Sequence, residues 1–393
     1  MQKKLLFITL TSLFTSLVSA ADLYVRNAGS GGAYSSVSAA ITAANNGDRI
    51  IIQPKTNGSA YVENITINKS LTFVSETIYN KYFIQGTITI TPSAGRLVTI
   101  NNLSSGNFTI YGVSVSGATT GGRTTVNLFN CYLNNVDTTA ANTTLNMSGC
   151  NVIGGVYFSH GRCTGNRAQM MNAYAVSPDT NLATDAVELI GNAVDMGIIN
   201  SQNDYPFKFN NNFISSVSVY RMKTNSTNEI INNTIYNPNA GDIAPLYIDL
   251  LNSNTTGNIA IMNNAVSFVV GQTNACIQNS GNATVTATYN VFTNAFVTQG
   301  TLTQSNNTGS VNMAFNADAY TVTGGNVNAG NPAVAHADLD LTRNDAGHYG
   351  GSNSWSNYFP SDSGAMPQVN FFVTPRAILN TTTLNVSGSG YSK

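Results

Sequence analysis

A chain of 393 residues with 17 Lys and Arg against 18 Asp and Glu carries a net charge of −1, and only 9% of its residues are charged, against about 25% in an ordinary soluble domain. That balance excludes electrostatic attachment to nucleic acid or to an anionic membrane surface. Leu, Lys, Glu and Arg, the usual helix formers, are scarce beside Asn, Thr, Ser and Gly, so an all-β protein coated in hydroxyls and amides is expected.

The opening segment, MQKKLLFITLTSLFTSLVSA, reads as a cleaved secretory signal over residues 1–20. Two lysines precede an apolar run too short for a bilayer span, and Val18-Ser19-Ala20 offers small residues for cleavage. No cysteine follows the cut for a lipid anchor, and no later segment reaches the ~18 unbroken apolar residues of a membrane helix. A secreted or cell-surface protein with no integral membrane segment is expected.

Internal repetition dominates the rest of the chain. TTVNLFNCYLNNV from Thr124 aligns without gaps on TTLNMSGCNVIGG from Thr143 at an offset of 19, placing Val126, Leu128, Cys131 and Leu133 on Leu145, Met147, Cys150 and Val152. Upstream, FTIYGVSV with Phe108, Ile110, Val113 and Val115 fits at an offset of 18. The template is two alternating apolar positions, a turn position X and one further apolar position. It returns at Val187/Leu189/Asn192/Val194, Phe207/Phe209/Asn212/Ile214 and Ile259/Ile261/Asn264/Val266, and in part around Asn233 and Asn290. Position X thus reads Val113, Cys131, Cys150, Asn192, Asn212, Asn233, Asn264 and Asn290. The gap of 42 between Cys150 and Asn192 leaves room for one weakly patterned coil near Met171. Strands recurring every ~20 residues without hairpin turns predict a solenoid, in which stacking at ~4.8 Å buries identical positions in columns. A lone buried Asn would cost about 1–3 kcal/mol; stacked amides satisfy one another.

The stacked-asparagine turn resembles that of right-handed parallel β-helix proteins, the pectin-lyase-like superfamily. DLYVRNAGSGGAYSSVSAAITAANNGDRIIIQP followed by YVENITINKSLTFVS, within residues 22–75, resembles the N-terminal cap and first coils of exported bacterial members: an amphipathic helix from Ser36 to Ala44, Gly47-Asp48, then strands Ile50 to Gln53 and Ile65 to Ile67. NAGNPAVAHADLDLTRNDAGHYGG resembles their closing segment, an aspartate-rich turn before a strand. The resemblance implies one parallel β-helix of about ten coils or slightly more over residues 21–351, with an N-terminal helix cap. Residues 352–393, with Trp355 and two terminal strands, read as a C-terminal cap or docking segment that would cover an exposed solenoid end.

Members of that superfamily include polysaccharide-cleaving enzymes, and the resemblance therefore implies two kinds of site. A polygalacturonase-like site needs paired aspartates. His160-Gly161, Thr184-Asp185, Arg221 and Lys223 supply fragments, but the His-Gly precedes the Thr-Asp and no two aspartates are adjacent. A lyase-like site needs carboxylates around Ca²⁺ and a Lys or Arg base; Asp204, Lys208, Arg221, Lys223, Asp242 and Asp249 are the candidates, with Lys208, Arg221 and Asp249 the catalytic set. Glu188, Lys208 and Glu229 should form an outward row of alternating charge, more simply read as a solvated ion-pair row. Tyr220, Arg221, Lys223, Tyr236, Asp242, Tyr247 and Asp249 make a candidate glycan-binding surface of aromatic faces beside charges. No cofactor is expected, with Ca²⁺ at Asp338, Asp340 and Asp345 as the alternative; ordinary turn formation explains those aspartates more simply.

Cys131 and Cys150 lie one coil apart, which leaves a disulfide and a pair of buried thiols both open. Cys163 and Cys276 have no evident partner, and a redox role through SHGRC is remote. Thr124-Thr125 stacked on Thr143-Thr144 are expected as outward hydroxyls, too few for an ice-binding face. The reading favoured is a non-catalytic secreted or cell-surface protein with an adhesive, structural or glycan-contacting role. The alternative is a lyase or hydrolase acting on acidic glycans. Self-association remains open.

Overall fold

The computed structural model describes residues 20–77, 80–105, 112–117, 121–174, 185–199, 205–241, 243–249, 257–271, 274–358, 368–373, 383 and 386–391. Successive coils pair in parallel. Thirteen strands form one sheet, running from Asp22–Val25 through Thr124–Phe129 and Phe207–Asn210 to Thr303–Ser305, and eighteen form a second. The second sheet bends: Asn151–Phe158 pairs with Tyr132–Leu133 through its first half and with Asn135–Thr138 through its second. The chain is therefore a parallel β-helix, with thirteen strands in its first sheet where about ten coils or slightly more were expected.

Alternating apolar residues make these strands because each inward side chain meets its equivalent one coil away. Val126 stacks on Leu145, Leu128 on Met147 and Leu133 on Val152, all buried. Phe209, Ile230 and Ile261 continue one such file downstream. The weakly patterned coil proves to be His160–Thr164 and Arg167–Ala173, with Asn166 between them. It escapes the template because Gly161 takes an apolar position. The strand passes so close to its neighbour there that a Cβ would strike the Leu145 carbonyl.

Between the sheets each coil turns on two residues with different duties. The first adopts left-handed backbone: Asn130, Gly149, Gly165, Gly191, Asn211, Asn232, Asn263, Tyr289 and Asn306 all have φ between 51° and 66°, a conformation that Gly and Asn tolerate best. The second is the ladder rung. The Asn192 side-chain N–H donates to Asn212 Oδ1 at 3.0 Å, Asn212 to Asn233 at 3.0 Å, Asn233 to Asn264 at 3.0 Å and Asn264 to Asn290 at 2.8 Å. Asn166 precedes the series and Asn307 ends it. Every Oδ1 also accepts the backbone N–H of the preceding rung, as Asn212 Oδ1 does from Asn192 at 2.9 Å. Every Nδ2 also donates to a carbonyl of the preceding coil, as Asn212 does to Leu189 at 2.8 Å. Cys150 and Cys131 continue the column as free, buried thiols; the Cys131 N–H meets Cys150 Sγ at 3.4 Å.

Two details of the expected register differ. Val113 pairs with Ile88 and Val136 in the second sheet. The rung beyond Cys131 is Leu103, since Leu128 faces Ile100 and Tyr132 faces Ser104. Strands of both sheets alternate alike, so an 18-residue offset matched one sheet's pattern to the other's; Phe108 and Ile110 lie outside the described residues. Thr124 and Thr143 are also buried rather than outward, Thr124 Oγ1 donating to the Ser93 carbonyl at 3.0 Å.

The helix Val37–Ala43 packs Val37, Ala40 and Ile41 into the core at the N-terminal end. Later residues cap it: the Glu63 carboxylate accepts from Val37 and Ser38 N–H at 2.8 and 2.9 Å, and Lys69 Nζ donates to the carbonyls of Ile41, Thr42 and Ala44. Both charges complement the helix dipole.

After the last coil the chain turns back and climbs the solenoid's side, with no strand in the aspartate-rich closing segment. The first asparagines of the turns clasp it. Asn263 Oδ1 accepts from Asn331 N–H at 2.8 Å, Asn232 Nδ2 donates to Asn344 and the Asp345 carbonyl, both at 2.9 Å, and Asn211 Nδ2 donates to the His348 and Gly350 carbonyls at 3.1 and 2.6 Å. Thr234 receives the buried His348: Oγ1 lies 2.6 Å from Nδ1, while Nε2 lies 2.9 Å from the Tyr320 carbonyl. An Nε2–H tautomer donates to that carbonyl and accepts from Thr234; burial holds the imidazole neutral, its pKa lowered to about 3. Further along, Tyr358 fills the space left by Gly165 and Gly191, and Trp355 packs with Ala193 and Phe213.

Asn233→Ala strips an acceptor from two Asn212 donors, and should lower stability by about 3 kcal/mol. In urea unfolding, Asn233→Ala with Asn264→Ala should cost less than the two single losses added, because the rungs are coupled. Tyr289 holds the left-handed position with a bulky side chain, so Tyr289→Asn should raise stability by about 1 kcal/mol; an unchanged unfolding midpoint would show that the ring's packing offsets the strain.

Candidate functional site

Outward positions of the first sheet build a grid whose spacing is set by the ladder. Thr125, Thr144 and His160 form one file; Asn127, Asn146, Arg162 and Glu188 a second; Phe129, Ser148 and Thr164 a third. These residues floor a cavity of about 670 Å³, which Arg123 and Asp185 border at one edge and Ser389 and Gly390 at another. Its size lies within the range of ligand sites.

Charge is concentrated here in a chain otherwise poor in it. Arg123 and Asp185, 62 positions apart, form an ion pair whose side chains are 16% and 8% exposed. His160 Nε2 lies 3.7 Å from Asp185 Oδ1 and 2.7 Å from Thr144 Oγ1, and Nδ1 lies 3.1 Å from Ser159 Oγ. The Tyr205 ring packs on the imidazole at 4.9 Å. One file over, Arg162 pairs with Glu188, and amides continue the file: Asn146 Nδ2 donates to Asn127 Oδ1 at 3.0 Å, and Asn127 Nδ2 to Thr99 Oγ1 at 3.1 Å. Taking such charges out of water costs several kcal/mol per ion unless they are well paired. A fold that needed only strands could have used threonine at these positions.

The candidates read from the sequence fall in separate places. Lys208 stands exposed on the first sheet with Glu188 and Glu229 facing it in register, but Glu188 is engaged by Arg162 and Glu229 by Asn210 Nδ2 at 2.9 Å. Tyr220, Tyr247 and Asp249 do meet, beside the neighbouring strands Phe213–Val219 and Leu246–Ile248 of the second sheet: the tyrosine rings are 6.1 Å apart, and Tyr247 donates to Asp249 at 3.0 Å. Arg221 follows Tyr220 there, and Lys223 sits in the ensuing turn, its N–H on the Tyr205 carbonyl. The catalytic set Lys208, Arg221 and Asp249 is thus divided between two sheets. Tyr236 belongs to the clasp side, stacked on Phe315 at 5.2 Å. There, with Arg167, Asp195 and Tyr320, it lines a wider groove of about 1050 Å³ in which Arg167 already covers Tyr320. Asp204 and Asp242 lie outside the described residues.

The three aspartates weighed for Ca²⁺ each serve the backbone. Asp338 accepts from Gly351 and Asp345 N–H at 2.6 and 3.0 Å, Asp340 from Thr342 N–H at 3.0 Å, and Asp345 from Asn328 N–H at 2.7 Å. Among the described residues no group of three or more His, Cys, Asp or Glu is placed to hold a metal ion, and no helix is long and apolar enough to cross a membrane. Cys163 and Cys276 are buried thiols, both raised by burial.

Arg123, Arg162 and the joint placement of His160 with Asp185 were not legible as a site. His160 and Asp185 appeared as motif fragments in the wrong order, and Arg162 sits in the coil that the template missed. The signal that could have found them is Gly165-Asn166, which repeats Gly149-Cys150 as a left-handed residue followed by a rung. Comparison of the chain with protein-family models, with curated proteins and with solved structures returned no match.

Arg123→Ala leaves Asp185 buried beside His160 without its guanidinium, and should cost about 3–5 kcal/mol. Arg123→Met with Asp185→Leu should recover most of that loss in thermal unfolding; no recovery would show that the pair does more than neutralise itself.

Proposed function

We propose that this chain is an exported, non-catalytic β-helix protein of the pectin-lyase-like kind that contacts a glycan through the cavity on its first sheet. The observation that carries this reading is the convergence of two arginines, two carboxylates and a histidine with a file of amides and hydroxyls in one cavity, in a chain with 9% charged residues. Sugar hydroxyls are recognised by such mixtures of fixed donors and acceptors, and a rigid sheet holds them without ordering cost on binding. The reading of residues 1–20 as a secretory signal is what supports export. Both carboxylates are tied to guanidiniums, which suits positioning hydrogen bonds better than abstracting or delivering a proton.

Cleavage of the glycan is the second reading, favoured by the presence of Asp185 and Glu188 in the same cavity, since hydrolysis uses two carboxylates. One experiment separates the two. The protein is incubated with a panel of neutral and uronate polysaccharides, with and without Ca²⁺, and both retention and chain length are followed. Binding with chains intact is expected, weakened about tenfold or more by Asn127→Ala with Asn146→Ala, which spare both ion pairs. Shortened or unsaturated chains would establish the enzyme instead; retention indifferent to the two asparagines would remove the cavity from the account.

A further inference from the structure

One margin of the cavity is covered by the chain itself: Ser389 and Gly390 line it, and Tyr391 beside them lies on Phe129. The strand Ser387–Tyr391, paired antiparallel with Gln368–Val373, lies against the first sheet at Phe129 and Ser148. Its residues are Ser-Gly-Ser-Gly before Tyr391, so it sets little but backbone and one ring against the sheet. That ring lies flat on Phe129, centroids 4.9 Å apart and planes 11° from parallel. Its hydroxyl donates to the Ser148 carbonyl at 3.4 Å, and the residue is 7% exposed. Among the described residues that line the cavity, Phe129 is the one phenyl ring.

A six-membered ring laid against an aromatic face, with a hydroxyl at its far end and an amide file beside it, matches the placement of a pyranose chair stacked in a sugar site. Phe129 lies two residues along its strand from Asn127, and on the next rung Ser148 lies two residues along from Asn146, the Asn127 partner. Donors and acceptors for ring hydroxyls therefore border the slot. Its charge is also specific. Two guanidiniums and two carboxylates cancel, so the cavity offers no net attraction to a polyanion, and a uronate would meet Asp185 and Glu188 as readily as Arg123 and Arg162.

We infer, on the strength of the glycan-binding reading above, that Phe129, Asn146 and Ser148 form a subsite for one ring of a neutral hexopyranose chain, and that Tyr391 fills this subsite until a ligand displaces it. Displacement has a measurable consequence. A site open only part of the time shows an apparent affinity reduced by the open fraction, and minor states of such equilibria are commonly 0.1–10% populated. Removing the occupant then tightens binding by about tenfold or more.

The test uses the full chain carrying Tyr391→Ala, Phe129→Ala or both, titrated calorimetrically with cellohexaose, maltohexaose and mannohexaose, and with hexagalacturonate as the acidic comparison. Tyr391→Ala should tighten binding of a neutral hexaose about tenfold or more, and adding Phe129→Ala should abolish the gain. Urea midpoints of the variants check that each is folded. If the unmodified protein binds a hexaose and Tyr391→Ala leaves the affinity unchanged or weaker, the self-occupancy is wrong while the glycan-binding reading stands. Tighter binding of hexagalacturonate than of any neutral hexaose overturns the assignment of a neutral sugar. If no folded variant binds any of the four, both the subsite and the glycan-binding reading fail.

Discussion

The structure depends on one constraint: adjacent coils must stack at strand spacing while the chain turns a tight corner with its backbone polar groups satisfied. Two residues meet it. A left-handed residue makes the corner, and a buried amide behind it takes up the backbone N–H, side-chain N–H and carbonyl groups that the corner leaves over. Because each rung is completed only by the next, the ladder works as a column or not at all, which is why it runs unbroken from Asn166 to Asn307. Where thiols replace amides at Cys131 and Cys150 the column continues with weaker partners.

The first residue of each corner has a second use that depends on where the corner faces. Asn211, Asn232 and Asn263 have left-handed backbones, so their side chains leave the corner outward and are free to hold another segment. They hold the returning chain from Asn331 to Gly350. At Gly165 and Gly191 the same position has no side chain, and that absence makes room for Tyr358. A single position thus serves as clasp or as socket according to whether it carries an amide or nothing.

Register also creates the cavity. Side chains that share a strand parity appear on one face at intervals set by stacking, so residues far apart in the chain become neighbours without any loop being designed to bring them together. Thr99, Asn127, Asn146, Arg162 and Glu188 are one such file. The charges within it are mutually paired, which keeps them tolerable on a half-buried surface and leaves the amides and hydroxyls of the neighbouring positions as the groups that address a ligand.

The amino-acid sequence by itself determined the all-β class, the inward files and the rungs Asn192, Asn212, Asn233, Asn264 and Asn290, because these arise from a repeat in which each position's environment is set by its equivalents one coil away. It determined the Cys131–Cys150 stacking for the same reason. Only the tertiary structure decided the rest. Asn166 and its coil were hidden by Gly161, whose place in the pattern reflects a close strand approach rather than hydrophobicity. Val113 was misplaced because strands of both sheets share one alternation, and only pairing tells them apart. The lateral path of residues 326–358, the division of Lys208 from Arg221 and Asp249, and the meeting of Arg123 with Asp185 depend on loops of unequal length. Loop length leaves no periodic trace, so a local pattern can set how a coil is built while the contacts between coils and returning chain settle what the surface presents.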